Sequence, residues 1–148
     1  MIIPECRGTR KEKMMATHAQ GAFDVTMTPQ TPDATANSSR VGRLSLDKQY
    51  HGDLDATSAG QMLAVNTDSD GSAGYVAMEE VTGMLHGHNG TFALQHNGTM
   101  TRGAPHLTVT IVPDSGTGQL VGLAGDMVIA IVDGQHTYDL TYTLPASS

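Results

Sequence analysis

The sequence predicts an all-β protein, an antiparallel and closed or nearly closed β-barrel of about eight strands. Most segments alternate apolar and polar residues, as a strand with one wet face does. Asn89-Gly90 and Asp133-Gly134 are strong signals for two-residue hairpin turns. The 17 glycines fall inside predicted strands as well as in turns, which indicates strands that kink and curve. No helical period lasts beyond a turn or two, so we favour a barrel over a flat sandwich.

The predicted strands follow one another with turn signals between them. They cover residues 16–28, 41–56, 61–67, two arms within 72–100, 106–112, and two arms about Asp133-Gly134. Residues 29–39, which contain two prolines, are predicted to form a loop. Gly52, between His51 and Asp53, indicates a bulge or a bend at a barrel corner. Residues 57–60 are predicted to form the turn that leads into the third strand.

The hairpin over residues 72–100 organises the rest of the chain. Its turn is placed at Gly87-His88 or Asn89-Gly90, and either choice pairs residues whose numbers sum to an odd value. This parity defines one sheet face, formed by Tyr75, Ala77, Glu79, Val81 and Gly83 with Phe92, Leu94, His96 and Gly98. The face is apolar except for Tyr75, a carboxylate and an imidazole.

The hairpin about Asp133-Gly134 shows the same kind of pairing. Its predicted pairs are Ile131 with His136, Ile129 with Tyr138, Met127 with Leu140, and Gly125 with Tyr142. In both hairpins an aromatic ring lies near a glycine of the same face, Phe92 by Gly83 and Tyr142 by Gly125. Such pairs are typical of rings that cover glycine kinks in curved sheets.

Composition narrows the classes of partner. The chain has 148 residues, with 8 Lys and Arg against 15 Asp and Glu, and its net charge of −7 argues against nucleic acid and anionic membranes as partners. No apolar run is long enough to span a membrane as a helix, and no secretory signal is recognised, so we expect a cytoplasmic protein. The single cysteine, Cys6, has no partner for an internal disulfide.

The first 14 residues differ from the single barrel domain predicted over residues 15–148. They hold half of the basic residues, namely Arg7, Arg10, Lys11 and Lys13, and show no apolar period. We interpret them as a disordered extension and favour a start-site artefact, with a native start at Met14 or Met15. A basic tail that binds a partner is the alternative.

Several segments resemble a bacterial family, domain-of-unknown-function family 3224. The resemblance rests on residues 21–25, 47–58, 74–79, 94–100, 102–105, 112–118 and 134–138. It implies a small β-barrel similar to that of allene oxide cyclase. The relation to the cyclase concerns the fold only, which does not carry function, and the resemblance implies no activity.

Glu79 and His96 are the candidate catalytic residues. If they meet inside a barrel, the carboxylate favours a charged imidazole and burial opposes it, which leaves an acid–base pair able to move a proton on a bound molecule. The alternative, which we favour, is a buried polar pair that satisfies its own hydrogen bonds and fixes the strand register.

Five further residues are candidates for ligand binding. Tyr75 and Tyr138 face inward with hydroxyls that could bind a ligand oxygen, although large core side chains with one hydrogen bond each are the commoner case. Asp53 and His51 flank the expected bulge, where side chains are often redirected toward sites, although solvent-facing rim residues are commoner. Phe92 completes the set from the inward face.

No metal or cofactor is expected. His86 and His88 offer two imidazoles at a hairpin tip, without a third ligand at a recognisable spacing. Residues 66–71 imitate the start of a calcium loop, but Ala77 stands where the acidic ligand should be.

The favoured hypothesis is a binding module that holds a small, largely apolar molecule in the barrel, with Glu79, His96 and the tyrosines as polar anchors. One alternative is an isomerase or cyclase that uses Glu79 and His96 for proton transfer. Another is a structural or assembly protein with a filled core. We also expect a homodimer, because Met62, Met84 and Val128 are predicted to be exposed.

Overall fold

The computed structural model describes residues 16–31 and 40–146. They form a closed antiparallel barrel in which each strand pairs with the next and the eighth pairs with the first. The strands are β1 (Thr17–Pro29), β2 (Gly42–Gly52), β3 (Leu54–Asn66), β4 (Ala73–Leu85), β5 (His88–Thr101), β6 (Ala104–Ile111), β7 (Ala124–Val132) and β8 (Gln135–Thr143). The predicted all-β barrel is confirmed. The interpretation of residues 1–14 as an extension lies outside the described residues.

The β4–β5 hairpin has the predicted faces but a different turn. Tyr75 pairs with Gly98 and Leu85 with His88, so the numbers sum to an odd value as expected. The two turn residues are His86 and Gly87, with φ of 47° and 82°, which match a type I′ turn. Both predicted turn positions were therefore wrong, although the parity that places Glu79 and His96 inside is confirmed.

Two predicted turn signals prove to be close approaches inside strands. A Cβ on Gly60 would lie 2.1 Å from the Met78 carbonyl oxygen, and one on Gly90 would lie 2.1 Å from the Thr117 carbonyl oxygen. Glycine is required there because another backbone passes too near for a side chain. The turn predicted over residues 57–60 was consequently wrong, and the chain instead reverses between β2 and β3 at Gly52, whose φ is 102°.

The β7–β8 hairpin is confirmed residue by residue. Ile131 pairs with His136, and Gly125 pairs with Tyr142. Asp133 and Gly134 form the turn, with φ of 51° and 82°.

One end of the barrel is closed by the segment between β6 and β7, residues 112–123, which includes a short 3₁₀ helix, Gly118–Leu120. Its backbone bonds to β5, from Thr117 N to the Thr91 carbonyl at 2.8 Å and from Val112 N to the Ala93 carbonyl at 2.9 Å. Leu120 and Leu123 of this segment are buried and belong to the core. The closed end therefore holds the main apolar core, which includes Leu54, Leu85, Phe92, Leu94, Ile111 and Leu140.

The opposite end is less regular, because β6 and β7 separate there. Their pairing consists of Val109 with Met127 and Thr110 with Asp126. Beyond these pairs, toward the Asp133-Gly134 turn, β7 pairs with β8 alone among the described residues. Among residues 16–31 and 40–146, no helix is long and apolar enough to cross a membrane.

Candidate functional site

A buried polar cluster lies at mid-height in the barrel, centred on Glu79 of β4. Its Oε1 accepts hydrogen bonds from the hydroxyls of Tyr50 and Ser58, both at 2.7 Å. Its Oε2 accepts from Lys48 Nζ at 2.8 Å and from His96 Nε2 at 2.6 Å. Each carboxylate oxygen thus has two donors, so Glu79 has little capacity left to act as a base.

Strand alternation on neighbouring strands brings the cluster together. Lys48 and Tyr50 project inward from β2, Ser58 from β3, and His96 from β5. Gly60 pairs with Glu79, and a Cβ there would lie 2.8 Å from the Glu79 Cβ. The glycine therefore leaves the room that the Glu79 side chain requires inside the barrel.

The cluster keeps Glu79 ionised despite its complete burial. Burial alone would raise the pKa of this carboxyl, but the hydrogen bond from His96 and the positive charge of Lys48 outweigh it and lower the pKa to about 2. Burial, together with the charge and hydrogen bond of Glu79, raises the pKa of Tyr50, so this phenol stays neutral and donates. The result is an ion pair with its acceptor sites satisfied.

Above the cluster, the open end forms a cup with a volume of about 490 Å³. Lys48, Tyr75 and His96 are its polar floor, and His136 adds a further imidazole to the wall. The remaining lining is apolar: Phe23, Val25, Met27, Leu46, Met62, Pro105, Leu107, Ile129, Ala130 and Ile131. Met27 and Ile131 are 52% and 64% exposed, so the cup opens to solvent at its rim.

His96 has a defined orientation at this floor. Its Nε2 lies against Glu79, so in the neutral ring this nitrogen carries the hydrogen and Nδ1 is the acceptor. Nδ1 lies 3.4 Å from the Tyr75 hydroxyl. A carboxylate that orients an imidazole in this way is the arrangement that general bases use.

Lys48 also contacts the cup wall. Its Nζ lies 4.7 Å from the centre of the Phe23 ring, within cation–π range. Its side chain is only 5% exposed, so the charge is held by Glu79 and by this aromatic face.

Of the predicted site residues, the structure brings Glu79, His96 and Tyr75 together at the floor of the cup. Tyr138 lies toward the closed end, where its hydroxyl accepts from Leu54 N at 2.9 Å and lies 2.8 Å from the His51 carbonyl oxygen. Phe92 is packed in the core away from the cup.

The two residues predicted at the bulge lie on the outside of the barrel. His51 contacts Asp24 at 3.0 Å, with both side chains more than half exposed. Asp53 accepts from Gln20 N at 2.9 Å and lies 3.6 Å from His86. These contacts hold neighbouring strands together around the β2–β3 turn.

Sequence reasoning missed Lys48, Tyr50 and Ser58. The signal for two of them is present in the sequence, because the alternation that begins with the apolar residues Leu44 and Leu46 continues through Lys48 and Tyr50. Ser58 was hidden by the turn wrongly placed over residues 57–60. In the described part of the chain, no group of three or more His, Cys, Asp or Glu side chains is arranged to hold a metal ion.

Comparison with known proteins agrees with the barrel. The family described as "Protein of unknown function (DUF3224)" matches residues 19–142. A crystal structure of a DUF3224 protein of unknown function from Shewanella oneidensis MR-1 is 46% identical, with a TM-score of 0.82, and the match covers 89% of this chain and 99% of that one. No curated protein matches the chain. The chain belongs to the DUF3224 family.

Proposed function

We propose that the cup binds a small, largely apolar molecule that carries one polar group. The observation that carries the proposal is the contrast within the cup, whose apolar wall surrounds a floor of Lys48, Tyr75 and His96. Concave apolar sites with a few convergent polar groups are the usual form of small-molecule sites. The volume of about 490 Å³ lies in the range such sites occupy.

The charges of the cluster favour an uncharged ligand. Glu79 and Lys48 already neutralise each other at 2.8 Å inside the barrel. A further buried charge would lack a counter-ion in this pair, and desolvating it would be costly. A carbonyl or hydroxyl oxygen fits better, since it can accept from the Lys48 ammonium or from the Tyr75 hydroxyl.

Nile red, a neutral apolar dye with a carbonyl oxygen, provides a direct test. We expect saturable binding at one dye per chain, with enhanced and blue-shifted emission. Val25→Arg places a bulky charge in the cup and should abolish the binding. Val76→Arg is the matched control, because Val76 is 51% exposed and lies on the outer face of β4. Equal binding by the two variants would contradict the proposal.

Native mass spectrometry of the freshly purified protein tests the same proposal without a dye. We expect a bound small molecule that Val25→Arg loses and Val76→Arg retains. Its mass would also identify the chemical class of the ligand.

A second candidate function is proton transfer on the bound molecule, as in an isomerase or cyclase. It is supported by the 2.6 Å contact between Glu79 and His96, which directs Nδ1 toward the Tyr75 hydroxyl. In this role His96 moves the proton and Glu79 orients the ring. Incubation in D₂O should then add deuterium to carbon-bound positions of the recovered ligand, and His96→Gln should prevent it while the ligand stays bound. A ligand without such exchange would leave binding as the function.

A further inference from the structure

A second cavity, which we call the side cavity, lies beside the cup at the open end of the barrel and has a volume of about 280 Å³. Every residue that lines it belongs to β3, β4, β5 or β6, whereas most of the cup is lined by the other four strands. Four residues line both cavities, namely Met62, Tyr75, Pro105 and Leu107. The two cavities therefore adjoin each other along these side chains.

The strand register orders the two cavities along β5. His96, at the floor of the cup, Gly98 and Met100 are successive inward positions of this strand. Gly98 pairs with Tyr75 on one side and with Leu107 on the other, and both of these line the two cavities. Met100 lines the side cavity and not the cup. A path from the floor of the cup to the far end of the side cavity thus runs past Tyr75.

Small inward residues leave the space that forms the side cavity. A Cβ on Gly98 would lie 2.5 Å from Cε1 of the Tyr75 ring, so the glycine lets this ring lie against β5. On the other side, Tyr75 pairs with Ala64 of β3, whose side chain is a single methyl group. A bulkier side chain at position 64 would fill the side cavity at the level of Tyr75.

The lining of the side cavity suits a hydrocarbon chain. Among the described residues that form it, none is an acid, a lysine or an arginine. Its polar members are Tyr75, Thr99 and His106, and the Tyr75 hydroxyl is directed to His96 at 3.4 Å. A polar group would lose water there with few partners to replace it, which is costly, whereas each buried CH₂ group favours binding.

We propose that the ligand is a long aliphatic molecule with a neutral oxygen at one end, and that its chain passes Tyr75 into the side cavity. This inference rests on the proposed binding function of the cup. The four residue steps from His96 to Met100 span about 13 Å at the rise of a β-strand. An extended carbon chain advances about 1.25 Å per bond, so about ten carbons reach from the floor to the end of the side cavity. A chain of about six carbons ends near Tyr75 and stays within the cup.

Competition with Nile red by a series of 1-alkanols, from hexanol to tetradecanol, tests the chain. Affinity should rise by up to about fourfold per CH₂ group and level off near decanol. Ala64→Phe fills the side cavity, because Ala64 lines it and does not line the cup. This variant should bind hexanol as the wild type does and bind decanol at least about tenfold more weakly. Leu63→Phe is the matched control, since Leu63 is 47% exposed on the outer face of the same strand.

Photolabelling of the wild type provides a measurement that needs no substitution. A 1-decanol with a diazirine at its far end should label residues 64, 99 or 100, as located by mass spectrometry of peptides. Label at Met27 or Ile131 of the cup instead, a plateau of affinity near hexanol, or equal decanol binding by Ala64→Phe and Leu63→Phe would each overturn the inference. Wild-type protein that does not bind Nile red would overturn the proposed function, so the two failures are distinguishable.

Discussion

The two ends of the barrel show how one strand pattern can be used in two ways. At the closed end, large inward side chains such as Phe92, Leu85 and Leu54 meet beneath the segment 112–123 and fill the interior. At the open end, Ala64 and Gly98 occupy inward positions, and β6 separates from β7. An eight-stranded barrel is just wide enough to be filled by side chains or to hold one small molecule. In this barrel, side chains fill the interior below the Glu79 cluster, and the space above the cluster has room for one small molecule.

The polar groups differ between the ends in the same way. The Tyr138 hydroxyl, toward the closed end, is occupied by backbone partners at the β2–β3 turn. Among the described residues, the Tyr75 hydroxyl has one contact, a long one of 3.4 Å to His96, and Tyr75 lines the cup. The Tyr138 hydroxyl at the closed end is therefore fully engaged with the backbone, whereas the Tyr75 hydroxyl at the open end has only a long contact.

The two ends should differ most in the loss of stability when an apolar side chain is truncated to alanine. Phe92→Ala removes a fully buried ring and should lower the free energy of unfolding by about 3–5 kcal/mol. Met27→Ala at the rim, where the side chain is 52% exposed, should cost less than about 1 kcal/mol. Urea denaturation of both variants measures the difference. Similar losses would show that the open end is packed as tightly as the closed end.

Breaking the ion pair between Lys48 and Glu79, which lies between the two ends of the barrel, should have the next largest effect on the free energy of unfolding. Glu79→Leu leaves Lys48 buried without its counter-ion and should cost about 3–5 kcal/mol of unfolding free energy. Lys48→Met in the same chain removes the stranded charge, so the double variant should recover much of the loss. Urea denaturation of the four proteins in this cycle measures the coupling. Additive losses would mean that the two side chains act independently.

Acid should weaken the contacts of the Glu79 carboxylate over a defined range of pH. The pKa of Glu79 falls from 4.5 to about 2 on folding, so its contribution is complete above pH 4.5 and is lost as the pH falls toward 2. The shift corresponds to about 3 kcal/mol. We expect the difference in unfolding free energy between the wild type and Glu79→Gln to shrink by about this amount between pH 6 and pH 2. A constant difference would place the pKa of Glu79 near its unfolded value.

The sequence predicted a closed or nearly closed barrel and placed Glu79 and His96 on one inward face, because both follow from alternation and from the parity of a short turn. Parity tolerates any even error in the pairing, which is two residues for a turn at Gly87-His88 and six for one at Asn89-Gly90, so either misplaced turn leaves the faces unchanged. Gly60 and Gly90 misled the turn assignment because a glycine beside a passing backbone has the same signature as a glycine in a turn. The separation of β6 from β7 depends on long-range packing that no local pattern records.

The smallest expected effect comes from the two tyrosines, and it separates the ends most cleanly. Tyr138→Phe leaves the buried Leu54 N–H without its acceptor and should lower the free energy of unfolding by about 1–3 kcal/mol. It should not change binding of Nile red, because Tyr138 lies outside the lining of the cup. Tyr75→Phe should barely change stability, since its one contact is long, and should weaken binding by removing a donor from the floor. If Tyr75→Phe proved the more destabilising of the two, its hydroxyl would belong to the framework of the barrel and the floor of the cup would offer only Lys48 and His96.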